Sequence, residues 1–159
     1  MVLDSNGAWE AVLENAYDII VTSEINGEDT LSFKIPYRDG KRGYIDSEKK
    51  IQIVDDVYKV RTVTDTRDTD GSAVTEVYAE AEFYDLTFSV RKEERTFEAE
   101  YPETAMAYAL EGTEWSVGTV TVRTQRTWTS TEKNALSILR NTADLHGCLL
   151  YTSPSPRDR

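Results

Sequence analysis

Few residues of this 159-residue chain have the types and spacing that chemistry needs. Nucleophilic catalysis by a Ser/His/Asp or Cys/His set would have to use the one histidine, His146, and, for the latter, the one cysteine, Cys148. Such a pair works only when the fold sets base against nucleophile within hydrogen-bond reach. His146 falls in the last turn of a helical pattern, where an imidazole complements the negative end of the helix dipole, so capping or packing is expected of it. One His and one Cys do not make the nitrogen and sulfur sets that hold zinc. The densest acidic stretch, DTRDTDG, carries Asp65, Asp68 and Asp70 before Gly71. Asp68-Thr69-Asp70-Gly71 meets only the start of an EF-hand loop, which needs further oxygen ligands and a Glu about six residues beyond the Gly. An Asp-rich hairpin turn is the expected reading. The 29 acidic residues mark out no pair for glycoside hydrolysis. No glycine-rich phosphate loop is present. The expectation is no catalytic residue, no cofactor-binding residue, no metal site and no enzymatic activity.

Aromatic residues are the other resource. Tyr37, Tyr44, Tyr58, Tyr78, Tyr84, Trp115 and Trp128 are spread along the chain. Most are expected in cores or on sheet faces, and the remainder suits an oligomer interface, where Tyr and Trp are enriched. The 18 basic residues against 29 acidic ones give a net charge of −11. That balance disfavours specific nucleic-acid binding and attachment to an anionic membrane, which both call for a basic face. No apolar run approaches the ~20 residues of a membrane-spanning helix, so membrane insertion is not expected, and the start lacks a signal-peptide pattern.

The elements that must position these side chains read as strands first. Residues Ala8 to Ala16 suggest a helical turn or an irregular lead-in. From Tyr17 the chain alternates, with Tyr17, Ile19 and Val21 on one face and Asp18, Ile20 and Thr22 on the other. Asn26-Gly27 supplies a turn. Leu31, Phe33 and Ile35 then alternate with polar residues up to Pro36. Alternation returns at Ile51–Ile53 and from Val57 to Thr66. A long strand from about Ala73 to Tyr84 has its candidate core face at Ala73, Thr75, Val77, Ala79, Ala81 and Phe83. Strands at this spacing predict an antiparallel β-barrel or sandwich over residues 1–100.

After Phe97 the composition changes. Pro102 suits the first turn of a helix, Ala105, Met106, Ala109 and Leu110 form one stripe, and Gly112 ends it. Val117, Val120 and Val122 suggest a strand. Thr129 and Glu132 have capping-box spacing ahead of a helix presenting Leu136, Leu139 and Ala143 and stopping at Gly147. Residues 101–147 therefore read as the start of a second, truncated α/β unit, and the whole chain as β-rich α+β. Residues 148–159, CLLYTSPSPRDR, resemble the translated read-through of a sequencing adaptor. They are expected to be non-native, with the natural chain continuing beyond Gly147.

Three stretches carry a family resemblance. TSEINGEDTLSFKIP (Thr22 to Pro36), AEAEFYDL (Ala79 to Leu86) and the run from Thr104 to Gly147, which contains ALEGTEWSVGTV and ends LHG, together resemble the N-terminal region of phage tail-hub or tail-tip proteins. These are grouped as the prophage endopeptidase tail (minor structural protein) family. Glu82 stands where the family commonly has His. The resemblance implies a tail-tube-like barrel at the start of a structural protein of the tail hub or baseplate, located at the virion tail tip and made in the bacterial host cytoplasm. It further implies a homotrimer in the full-length protein, with tail-tube and distal tail proteins as partners. Any peptidoglycan-cleaving domain would lie beyond the truncation. The alternative is a free-standing β-rich carbohydrate- or protein-binding module.

Overall fold

A computed structural model describes residues 1–4, 7–24, 26–69, 71–90 and 93–150. The chain divides into two compact units, with the break between Glu82 and Phe83. The first unit is one antiparallel sheet of seven strands: β1 (Val2–Leu3), β2 (Trp9–Ala11), β3 (Tyr17–Ser23), β4 (Asp29–Pro36), β5 (Lys50–Ile53), β6 (Asp56–Arg67) and β7 (Ala73–Ala81). Their order across the sheet is β2-β1-β5-β6-β7-β4-β3. The sheet is curled into a half-barrel, as the alternating segments predict.

Why it curls can be read from the connection between the edges. β2 and β3 are consecutive in the chain yet lie at opposite edges of the sheet. Laid flat at ~4.8 Å per strand, those edges would stand about 29 Å apart. The step from Ala11 to Tyr17 spans at most ~21 Å fully extended. A flat sheet is therefore excluded by chain length alone.

The core lies on one face of the three longest strands. Leu31, Phe33 and Ile35 of β4 are buried, as are Thr75, Val77, Ala79 and Ala81 of β7 and Tyr58 and Val60 of β6. Across the ladders, Ala79 sits between Leu31 and Val60, and Val77 between Phe33 and Val63. A small residue flanked by larger ones lets the face interdigitate. Val2, Leu3, Ile45 and Ile51 complete this core. Asp68 and Gly71 form the expected turn between β6 and β7: the Gly71 N–H donates to the Asp68 carbonyl at 2.9 Å, with Gly71 at φ 86°. At the Asn-Gly turn it is Asn26 that takes the left-handed backbone, φ 54°.

The second unit pairs β8 (Arg95–Glu100) with β9 (Arg126–Ser130) and adds helices α1 (Pro102–Leu110) and α2 (Ala135–His146). Met106 and Ala109 of α1 meet Ala135, Leu136, Ile138 and Leu139 of α2, together with Leu86. Pro102 opens α1 and Gly147, in the left-handed region, closes α2, both as expected.

Five readings change. Trp9–Ala11 is an edge strand, because β1 offers it a partner. β7 stops at Ala81, and Glu82–Phe88 continues as 3-10 helix. Val117, Val120 and Val122 form no strand; no neighbouring strand pairs with them, and Val117 and Val120 pack against the helical core instead. The Thr129/Glu132 capping box is not formed. Thr129 is committed to β9, with its hydroxyl 2.9 Å from that of Thr96, and α2 starts later, capped by Asn134, whose side chain accepts from the Ser137 N–H at 2.8 Å. The strand of residues 95–100 belongs to the second unit, where the composition change had suggested a boundary at about residue 100.

Leu31 has no solvent exposure and pairs directly with Ala79 of β7. Leu31→Ala is expected to destabilise the first unit by about 2–5 kcal/mol through lost burial and the cavity left behind, measured by urea denaturation.

Candidate functional site

An exposed apolar surface of the first unit lies along an edge strand. Among the described residues β3 is paired on one side only, with β4. Ile19, Ile20 and Val21 are 52%, 59% and 46% exposed. Successive residues of a strand point to opposite faces, so both faces of β3 present apolar side chains beside an unpaired row of backbone groups. Proteins ordinarily blunt such an edge with charge, Pro or a bulge. Here Asp18 adopts φ 49°, and the ladder to β4 shifts between Tyr17 and Ile20. That irregularity loosens only the N-terminal end of the strand. At the opposite edge β2 is three residues long, and Trp9 is 69% exposed. The expected alternation at Tyr17–Ser23 is thus present as a strand, but neither of its faces enters the core.

Ion pairs brace the sheet near this edge. Lys34 Nζ reaches Asp68 at 3.3 Å and Asp18 and Glu76 at 3.7 Å each, linking β3, β4, β7 and the turn after β6. The Tyr17 hydroxyl also donates to Asp68, at 3.1 Å. Arg42, in the 3-10 turn Arg42–Tyr44, donates to both carboxylate oxygens of Asp65 at 2.9 Å and to the Thr75 hydroxyl at 3.3 Å. Asp65 is held below the usual carboxylate range by the bonds from Arg42 and Thr75, and Asp68 by those from the Thr69 N–H, Tyr17 and Lys34. Asp39 is lowered by bonds from the Asn15 side chain and the Lys41 N–H. Asp29 goes the other way: burial raises it, although the Tyr58 hydroxyl donates to it at 3.1 Å.

These partners answer the question posed by DTRDTDG. Asp65 and Asp68 spend their oxygens on protein donors, while Asp70 lies outside the described residues. Among the described residues no group of three or more His, Cys, Asp and Glu side chains could hold a metal ion.

His146 is buried at the end of α2, and its Nδ1–H donates to the Thr124 carbonyl at 3.0 Å. It fastens the irregular 116–125 segment to the helix. Cys148 is half-buried, its N–H donates to the Ala143 carbonyl at 2.9 Å, and its thiol is raised by burial. Cys148 and Leu150 pack against the helical core; residues 151–159 lie outside the described residues.

The aromatic residues separate by unit. Tyr58 is buried in the sheet, whereas Tyr37, Tyr44 and Tyr78 are exposed on it. In the second unit Phe97 stacks on Trp128 at 5.0 Å and meets Tyr108 edge-on at 5.8 Å. Arg95 lies over Tyr108 and Phe97, 4.6 and 5.3 Å from the ring centres. Beside them an open groove of about 580 Å³ runs along α1, lined by Arg95, Tyr108, Glu111 and Trp115 among others. Sequence reasoning missed the strand pairing of β8 and β9, which alone explains why Phe97 and Trp128, 31 positions apart, stack.

Comparison with known families decides what this combination belongs to. The profile described as "Prophage endopeptidase tail N-terminal domain" matches residues 1–81, and "Prophage endopeptidase tail domain" matches residues 89–152. The chain belongs to the prophage endopeptidase tail family. It is a phage tail protein. Comparison with curated proteins gives no match. Among solved structures, the prophage tail protein gp18 from Listeria monocytogenes EGD-e is similar, with a TM-score of 0.70 and 12% identity. The match covers 90% of this chain and 44% of that one, so this chain spans less than half of the gp18 chain. At that identity the likeness concerns the fold, and it supports the β-rich half-barrel followed by a helix-containing unit.

No helix among the described residues is long and apolar enough to cross a membrane. The two matched domains are N-terminal tail domains rather than catalytic ones.

In this tail protein the lowered pKa values of Asp39, Asp65 and Asp68 carry a sign. Each contributes stability above the unfolded carboxylate value of about 3.9 and loses it as pH falls through the lower folded value. The raised Asp29 acts oppositely, adding stability only below its folded value. Three groups against one give a melting temperature that falls below about pH 4. Asp65→Asn is expected to melt lower than wild type at pH 7, with the gap closing as pH falls through the lowered folded value of Asp65 and its carboxylate becomes protonated. A gap that stays constant across this range would show that Asp65 is not the group responsible.

Proposed function

We propose that this tail protein is the N-terminal part of a tail-hub or baseplate component that assembles with copies of itself, as a homotrimer in the full-length protein, and with tail-tube and distal tail subunits at the tail tip. Membership of the prophage endopeptidase tail family supports the setting. The observation that carries the assembly role is β3: seven residues, paired on one side, with Ile19, Ile20 and Val21 exposed. Adding a strand to such an edge satisfies its backbone groups and covers its apolar side chains in one step. The role is structural, and the chemistry of the described residues suits it: the charged side chains of the sheet are engaged with one another rather than converging on a substrate.

A charge placed on the edge tests this. Lysine at an edge strand opposes pairing with another sheet, and Ile20 is exposed, so Ile20→Lys leaves the core intact. In a phage carrying Ile20→Lys, the yield of complete tails is expected to fall about tenfold or more, the factor for each ~1.4 kcal/mol of lost association, with the melting temperature of the protein within a few degrees of wild type. Normal tail yield from Ile20→Lys would remove β3 as the assembly surface. Sedimentation of the full-length protein checks the trimer.

A further inference from the structure

The groove along α1 has a makeup that an assembly role does not require. Thr104, Ala107, Tyr108 and Glu111 recur at helical spacing, so they share the face turned away from the buried Ala105, Met106 and Ala109. Where the helix ends, Gly112 takes the left-handed backbone at φ 75°. Thr113 then fixes the turn: its hydroxyl donates to the Leu110 carbonyl at 2.7 Å and accepts from the Trp115 N–H at 3.2 Å. This turn brings Trp115, Ser116 and Val117 into the same groove. Arg95 enters it from β8, with its guanidinium over the Tyr108 ring.

Some of these groups are engaged and others are not. The Tyr108 hydroxyl donates to the Glu93 carbonyl at 3.2 Å, and the Thr104 hydroxyl to Glu100 at 3.1 Å. Among the described residues the Arg95 guanidinium has no carboxylate partner and the Trp115 indole N–H has no acceptor. Arg95 is exposed, and Trp115, half-buried, rests against the helical core without stacking on another aromatic ring.

That set narrows the chemistry of an occupant. Arg95 and Glu111 are the charged side chains of the lining, one of each sign, so the groove favours neither an anion nor a cation. The −11 charge of the chain weighs further against an anion. An apolar molecule would take water from a guanidinium, a carboxylate and an indole N–H and replace none of its hydrogen bonds. A neutral ligand with an apolar face and a rim of groups that both donate and accept meets every requirement. A sugar ring has that form. Its C–H face lies on an aromatic ring, and its neighbouring hydroxyls match the donor fork of an arginine and the paired acceptors of a carboxylate. The volume, about 580 Å³, is in the range of small-ligand sites. Peptides are taken up by strand addition, by a continuous apolar groove or by aromatic-lined slots. Here only Arg95 of the lining belongs to a strand, charges interrupt the apolar lining, and Arg95 covers Tyr108, which leaves Trp115 as the open ring.

We propose that this groove of the second unit binds a neutral oligosaccharide, with Trp115 as the stacking platform and Arg95 and Glu111 as the pair that holds its hydroxyls. The site does not depend on the reading of β3 as an assembly edge.

Nuclear magnetic resonance titration of the nitrogen-labelled full chain tests this, with maltotriose, cellotriose and tri-N-acetylchitotriose as probes at millimolar concentration. At least one probe is expected to shift the Trp115 indole signal and the amides of residues 107–117. Arg95→Lys keeps the charge and loses the fork, and Glu111→Ala removes the acceptors; both positions are exposed. Each variant is expected to bind about tenfold more weakly, as when hydrogen bonds to a charged group are lost, with a melting temperature within a few degrees of wild type. No shift with any of the probes overturns the proposal. So does binding that both variants leave unchanged, which would place the sugar elsewhere. Stronger shifts from oligoproline or from an acidic oligogalacturonate also overturn it, by assigning the groove to a peptide or to an anion.

Discussion

The constraint on which the first unit depends is the length of a connection. β2 and β3 are neighbours in sequence and opposite edges in space, and the residues between them are too few to cross a flat seven-stranded sheet. Curl follows, and from curl follows the rest. The inward faces of β4, β6 and β7 converge enough for Leu31, Phe33, Val60 and Val77 to form a core. The closure is partial, so two edges remain, of unequal length and with apolar side chains on each.

Electrostatics is the second organising influence. A chain with net charge −11 is pushed apart by its own carboxylates, and the sheet places its cations to offset that locally. Lys34 stands among three acids, Arg42 is engaged by Asp65, and Arg61 bridges Glu80 and Glu48. Surface pairs of this kind contribute little singly. The value of two of them lies in position: Lys34–Asp18 and Arg42–Asp65 tie the start of β3 and the Arg42–Tyr44 turn to β4 and β6.

Much of this was legible in the sequence, and the divisions are instructive. Period-2 alternation located β3, β4, β6 and β7 because burial on one face writes itself into every second residue, as at Leu31, Phe33 and Ile35. The two helices were legible from Pro102, the Ala105–Met106–Ala109 stripe and Gly147. Less visible were features set by distant partners. β2 exists because β1 pairs with it, and nothing local to Trp9–Ala11 says so. Thr129 and Glu132 satisfy a local capping rule, but Thr96 lies across from Thr129, and the ladder prevails over the cap. The three valines of 117–122 alternate as a strand would, yet burial against helices needs only apolar residues, not a partner strand. The candidate surface escaped for a related reason: Ile19, Ile20 and Val21 look like core residues in sequence, and only the strand order shows that β3 has a neighbour on one side alone.

The inequality of the two edges has a geometric consequence. A three-residue edge and a seven-residue edge are not interchangeable, so a contact joining β2 of one copy to β3 of the next is heterologous. Subunits added in that way all face the same direction around their axis. The resulting object has a distinguishable front and back, and either closes into a ring or winds onward as a helix, according to the rotation between successive copies.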